Sequence, residues 1–204
     1  ARASRLGAPY LYIVDSVFNT SPDHVVSICE EIIRREISIA WGCFLRPRAV
    51  TREMTQIMAR AGARHVEFGS DSFSDSVLDA YGKGLTFDDI AASHEAVVDA
   101  GIHAAHFLIT GGPGETRATM QESFENSKRL KKTAIFPFPG MRIYPGTPLQ
   151  AIAVAQGLLK ADADLLQPTY YHTPHLTREE MRELLQSYHA PLPGGSLDSP
   201  VPRW

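Results

Sequence analysis

Cysteine is scarce in this sequence: Cys29 and Cys43 are the only two in 204 residues. So small a count excludes a disulfide-stapled secreted scaffold and suits a reducing, cytoplasmic setting. An excess of one charge sign is also missing. Twenty Lys and Arg against 23 Asp and Glu leave a formal net charge of −3, which gives no electrostatic basis for binding nucleic acid or an anionic membrane surface. No apolar run approaches the ~20 residues that cross a bilayer, and no signal-peptide pattern is visible. Neither a phosphate loop nor a G-x-G-x-x-G dinucleotide fingerprint occurs, since no Lys-Ser/Thr follows the glycine-rich turn at 111–114. His172 and His175 lack a third ligand nearby and Pro174 lies between them, so no metal site is expected there.

What the chain does have is apolar content, 44% of its residues, enough for one sizeable core. That content is arranged in alternating strand and helix patterns. Tyr10-Leu11-Tyr12-Ile13-Val14 reads as a strand ending at Asp15. Ser21 or Asp23 can cap the helix that follows, with Pro22 in its first turn. Ile37 to Leu45 reads as a second strand, ending at Arg46-Pro47-Arg48, and Thr51 opens a second helix. Arg64 to Phe68 reads as a third strand, ending at Gly69-Ser70-Asp71-Ser72. A short helix over 75–81, a Gly82-Lys83-Gly84 turn and a longer helix closed by Gly101 lead to a fourth strand, Ile102 to Thr110. Then come the turn Gly111-Gly112-Pro113-Gly114-Glu115, a helix over 116–131, and a fifth strand opened by Ala134-Ile135-Phe136. Helices over 148–156 and 177–188 follow.

About five strand–helix alternations predict an α/β fold with a parallel sheet and right-handed crossovers. A barrel and a doubly wound sheet both accommodate the pattern. In either, the chemistry gathers at the carboxyl ends of the strands. Asp15, Arg46, Asp71, Glu115 and Arg142 all fall at or just beyond such ends. Glu115 has a competing role as a helix-terminal acid, and the glycines a competing role in a plain tight turn.

Four segments recur after strands in a telling order: Asp15-Ser16-Val17-Phe18-Asn19, Phe68-Gly69-Ser70-Asp71-Ser72, Gly111-Gly112-Pro113-Gly114-Glu115-Thr116, and Tyr144-Pro145-Gly146-Thr147-Pro148. The series resembles the radical S-adenosylmethionine (radical SAM) superfamily, over roughly Tyr10 to Tyr188. It is most like the branch whose members often carry an upstream cobalamin-binding domain. The resemblance implies a partial (β/α)6, TIM-like barrel. It also implies reductive cleavage of SAM by a four-iron iron–sulfur cluster to a 5′-deoxyadenosyl radical. It places Asp15 at the methionine amino group and Asp71 at the ribose hydroxyls. Ile109, Gly111, Gly112, Gly114 and Glu115 fall in the segment that packs on the adenine. Arg46 is a candidate for the methionine carboxylate, which a forked guanidinium suits, and Arg142 is a second candidate. No catalytic residue is assigned.

One departure is large. The family's C-x3-C-x2-C cluster motif is absent. The expectation is therefore the C-terminal part of a radical SAM domain without its first βα unit. The cluster ligands would lie outside this chain, and any cobalamin domain further upstream. Residues 1–150 would form the partial barrel, 151–190 a helical extension, and 191–204 a Pro/Gly/Ser-rich disordered tail. The expected partners are SAM, a small-molecule substrate and the upstream segment of the same protein. Without that segment the strand at Tyr10–Val14 presents an unpaired edge, and self-association is expected. Two other readings stay open: a cluster-free TIM-type lyase or aldolase, for which Lys83 is the only lysine in the central loops, and an inactive nucleoside-binding remnant.

Overall fold

The computed structural model describes residues 6–188; the tail expected over 191–204 lies outside the described residues. Five parallel strands form the main sheet: β1 (Tyr10–Ile13), β2 (Ala40–Leu45), β3 (Ala63–Asp71), β4 (His103–Thr110) and β5 (Thr133–Pro139). Their spatial order is the order of the sequence, β1-β2-β3-β4-β5. A doubly wound sheet reverses direction at a switch point, and none occurs here. The winding is that of an open, partial barrel.

The crossovers are helical. The first, α1 (Pro22–Arg34), starts where the Ser21 hydroxyl accepts the His24 N–H at 3.2 Å; Asp23 sits inside the first turn rather than at the cap. Thr51 caps α2 (Arg52–Arg60). The short α3 (Asp75–Ala80) precedes α4 (Phe87–Asp99), which opens on a Thr86–Asp89 capping box. Next, α5 (Arg117–Ser127) opens on the reciprocal bonds of Thr116 and Thr119. It stops short of the expected residue 131, and Ser127 donates its hydroxyl back to the Phe124 carbonyl at 2.6 Å, a local bond that competes with the helix ladder. Likewise β2 begins at Ala40 rather than Ile37, because the Ile37 N–H is still engaged by the Ile32 carbonyl at the exit of α1.

Alternation along the strands sorts the side chains onto two faces. Trp41, Cys43, Leu45, Val66, Phe68 and Ala104 point to the helices and join Val25, Cys29, Met54, Met58 and Val97 in one buried cluster. At ~25 cal/mol per Å2 of apolar surface, this is the main source of stability. The register puts Tyr12, Gly42, Phe44, His65, Glu67 and Gly69 on the opposite, inner face. A band of rings crosses that face: Tyr12 meets Phe44 edge-on at 5.2 Å, Phe44 lies 6.3 Å from Phe107, and Phe107 lies 5.5 Å from Phe136 and 5.7 Å from Phe138.

Beyond the sheet, β6 (Met141–Arg142) and β7 (Tyr170–Tyr171) pair antiparallel. Between them lies α6 (Pro148–Ala155), capped by Thr147. Residues 151–188 thus hold a short strand as well as helix. They end in α7 (Arg178–Tyr188), which packs Met181 and Leu184 on Met120 and Phe124 of α5.

Candidate functional site

The carboxyl end of β3 is bulged. Gly69 lies opposite Phe107 and Asp71 opposite Leu108, so Ser70 has no partner of its own. Asp71 sits at φ +64, a left-handed conformation that costs a non-glycine residue ~1–2 kcal/mol. Such strain persists only where surrounding contacts hold it. One contact is visible at once. Gly82 and Gly84, at φ +65 and +61, turn the chain so that Lys83 reaches back. Its Nζ donates to Asp71 Oδ2 at 2.6 Å and to the Gly69 carbonyl at 3.2 Å. Both side chains are about three-quarters covered. Sequence reasoning weighed Lys83 only as a Schiff-base lysine. The flanking glycines are the signal that it is aimed at Asp71.

Arg46 joins the same group. It donates from Nη2 to the Lys83 carbonyl at 2.6 Å, and Arg48 donates from Nη1 to the Gly84 carbonyl at 2.9 Å. The end of β2 is fixed in turn by Asn19, whose amide accepts the Arg46 N–H at 2.8 Å and donates to the Arg46 carbonyl at 2.9 Å. The first recurrent segment therefore does structural work through Asn19.

The glycine-rich turn after β4 is more closed than its sequence suggests. Gly111 and Gly114 adopt φ +80 and +79. The Gly111 N–H is held by the Glu115 carboxylate, and the Gly112 carbonyl accepts the Glu115 N–H at 3.2 Å. From β7's exit, Thr173 donates its N–H to the Gly111 carbonyl at 2.7 Å and its hydroxyl to the Glu115 carbonyl at 2.9 Å. Close packing accounts for two of the glycines. A Cβ on Gly112 would lie 2.1 Å from Tyr81 Oη, and one on Gly111 would lie 2.8 Å from Met181 Sδ. Glu115 does not cap α5; Thr116 does. Buried, Glu115 has its carboxyl pushed up from 4.5 to about 7 by desolvation, against the opposing pull of the Gly111 and Gly112 N–H groups. Tyr81, which donates to the Ile109 carbonyl at 3.4 Å, is also pushed up, by burial first and then by Glu115 and Asp71.

Asp71, Lys83, Arg46, Tyr81, Ile109 and the 111–115 turn thus converge on one end of the sheet. Asp15 lies exposed beyond β1, and Arg142 stacks its guanidinium 4.8 Å over Tyr144 on the β6–β7 ribbon. Among the described residues no hydrogen bond or ion pair ties either one to Asp71 or Glu115. The inner face is open at Gly69, which pairs with Phe107: nothing lies within 4 Å of where a Cβ on Gly69 would stand.

An iron–sulfur cluster does not fit the residues present. Cys29 and Cys43 are the only cysteines, and both are buried in the helix-side core. Burial pushes their thiols up to about 11 and about 12, whereas a ligand must be a thiolate. Among the described residues no group of three His, Cys, Asp or Glu can hold a metal ion. No described helix is long and apolar enough to cross a membrane.

The fold defines a TIM-like partial barrel, and the strand-end group sits at the carboxyl edge of its sheet. The sequence profile of the Radical SAM superfamily matches residues 2–126, and the chain belongs to that superfamily. It is 27% identical over 153 residues to an uncharacterised methyltransferase of Pyrococcus horikoshii, covering 75% of this chain and 33% of that protein. It is 26% identical over 105 residues to the anaerobic magnesium-protoporphyrin IX monomethyl ester cyclase of Rubrivivax gelatinosus, covering 50% of this chain and 19% of that one. The chain thus spans a third or less of these relatives. In structure it is similar to the radical SAM methyltransferase TsrM of Kitasatospora setae, solved with cobalamin and a [4Fe-4S] cluster, at a TM-score of 0.78 and 21% identity, over 93% of this chain and 45% of that one.

Proposed function

We propose that this chain binds SAM at the carboxyl ends of its parallel strands, as part of a radical SAM enzyme of the cobalamin-associated branch. The observation that carries the reading is the bulged, left-handed Asp71 beside the open inner face at Gly69. SAM reduced at an iron–sulfur cluster supplies radical chemistry at carbon; the thiolates for a cluster are not among this chain's residues, so its part is to hold the nucleoside. Lys83 occupies Asp71 Oδ2, which leaves Oδ1 to accept the ribose hydroxyls. Ile109 offers an apolar surface to the adenine, and Glu115 keeps the 111–115 turn closed behind it. The remaining N–H groups of Arg46 suit the methionine carboxylate, and exposed Asp15 suits the amino group. A small-molecule substrate would meet SAM over the ring-lined inner face. Cobalamin enters the proposal through relatives such as TsrM, whose structure holds it.

A lyase working through Lys83 is a weaker reading, because its Nζ already donates to two acceptors and is arranged as a cation rather than a nucleophile. The proposal also includes a further strand of the same protein along β1, which among the described residues pairs on one side only and leaves Leu11 41% and Val14 80% exposed. Sedimentation of the isolated chain should then show self-association; a monomer at all concentrations contradicts this part. The central test is calorimetric titration of SAM and 5′-deoxyadenosine into the chain. Both should bind, and Asp71→Ala should weaken both about tenfold or more, as expected for charge-assisted hydrogen bonds. Equal affinity for Asp71→Ala and the parent chain would sink the assignment.

A further inference from the structure

Beneath the bulge of β3, on the helix side of the sheet, runs a chain of buried polar groups that touches none of the proposed SAM-binding side chains. Ser70 Oγ lies 2.8 Å from His106 Nδ1, His106 Nε2 lies 3.1 Å from His94 Nδ1, and His94 Nε2 lies 2.8 Å from the Lys131 carbonyl. Ser70 and His106 are fully buried and His94 is 2% exposed. The chain links β3, β4, α4 and the segment entering β5.

Hydrogen-bond logic fixes its direction. A carbonyl can only accept, so His94 Nε2 carries hydrogen. In a neutral ring His94 Nδ1 then accepts, and His106 Nε2 must donate to it. His106 Nδ1 is left as an acceptor, and only the Ser70 hydroxyl can supply that proton. Desolvation pushes both imidazoles down, His106 to about 3, where its neighbour His94 adds to the effect, so both rings stay neutral and the direction is single-valued. Phe68 stacks on His106 at 5.0 Å and Phe73 meets it edge-on at 5.4 Å, which leaves the ring no freedom to turn.

Ser70 is also the residue that the β3–β4 register skips, and Asp71 follows it at φ +64. We propose that Ser70, His106 and His94 are positioning residues: a one-directional hydrogen-bond relay anchored at Lys131 pins the bulge from below and thereby sets the Asp71 carboxylate. Lys83 holds Asp71 from above, and the relay holds the backbone that presents it. This inference rests on the proposed role of Asp71 in SAM binding.

The experiment is a double-mutant cycle on the 204-residue chain, with SAM affinity as the readout. Ser70→Ala should weaken SAM binding about tenfold, the loss expected for one directed hydrogen bond. In an Asp71→Ala background, which removes the group the relay is proposed to set, the same change should have no further effect, within twofold. An equal loss in both backgrounds, or no loss in the first, overturns the relay as a positioning device, since a merely packed network would act independently of Asp71. Should Ser70→Ala fail to fold, His94→Leu, which can neither accept from His106 nor donate to the Lys131 carbonyl, carries the same cycle. If the parent chain binds no SAM, the SAM reading fails and the relay is judged by NMR on 15N-labelled protein. Both histidines should then show the Nε2–H tautomer, and Ser70→Ala should move the Asp71 amide and Lys83 Nζ resonances. Unmoved resonances, or an Nδ1–H tautomer at His106, overturn it.

Discussion

Glu115 gives the chain a pH-dependent stability that one substitution should remove. In the folded protein its carboxyl is buried and pushed up from 4.5 to about 7. Between these values the folded state holds a proton that the unfolded state has released, so stability falls as pH rises through that window. At ~1.4 kcal/mol per pH unit the ionised group costs about 3 kcal/mol by pH 8, and nothing at pH 4, where both states are protonated. Glu115→Gln keeps an acceptor for the Gly111 N–H but cannot ionise. Urea or thermal unfolding of both proteins, followed by circular dichroism from pH 4 to 8, isolates the effect as a difference, because every other titrating group cancels. The variant should match the parent at pH 4 and exceed it by about 3 kcal/mol at pH 8, a gain of ~6–12 °C in melting temperature for a chain of this size. A difference that does not change with pH would refute the reasoning. A variant less stable than the parent at pH 8 would show that the ionised carboxylate, held by the N–H groups of Gly111 and Gly112, stabilises the turn.

Other perturbations have equally definite outcomes. Gly112→Ala drives a Cβ to 2.1 Å from Tyr81 Oη and 2.5 Å from its Cζ, and should lower stability by ~1–3 kcal/mol in urea melts; a neutral result would mean that Tyr81 is not seated there. Trp41→Phe should cost ~1–3 kcal/mol, because the buried indole N–H donates to the Ala61 carbonyl at 2.8 Å and that acceptor is left unpaired. Asp99→Asn breaks the surface ion pair between Asp99 and Arg52, whose side chains are 53% and 64% exposed, and should change stability by under ~0.5 kcal/mol; a larger effect would mean that solvent does not screen this pair.

The strand–helix alternation was legible because buried strands and amphipathic helices carry different periods, and the caps at Ser21, Thr51, Thr86 and Thr116 follow from hydroxyl chemistry. The choice between barrel and doubly wound sheet was not legible from that alternation alone, since both produce it; the sequential strand order decides it. Asp71 and Arg46 could be placed at strand ends, but not their connection through Lys83, which depends on where two left-handed glycines send the chain. The glycine turn was legible as a turn, but not how tightly it is covered. It is closed because Thr173, 58 residues beyond Glu115, returns to cover it, a long-range contact with no local signature. The two histidines of the relay were separable in sequence only as a core-facing helix position and a strand position.

Gly69 offers the most direct test of the central claim. Its backbone is that of an ordinary strand residue and the space beside it is empty, so Gly69→Val should leave the melting curve unchanged or slightly raised, within the ~1 kcal/mol that β-propensity supplies. The valine would fill the open space on the inner face beside Gly69, two residues before Asp71. Titration of SAM into the chain and into this variant should therefore show binding to the first and a loss of at least tenfold in the second. If Gly69→Val folds normally and binds SAM as tightly as the parent chain, SAM does not lie over the inner face at β3, and the account of this site is wrong.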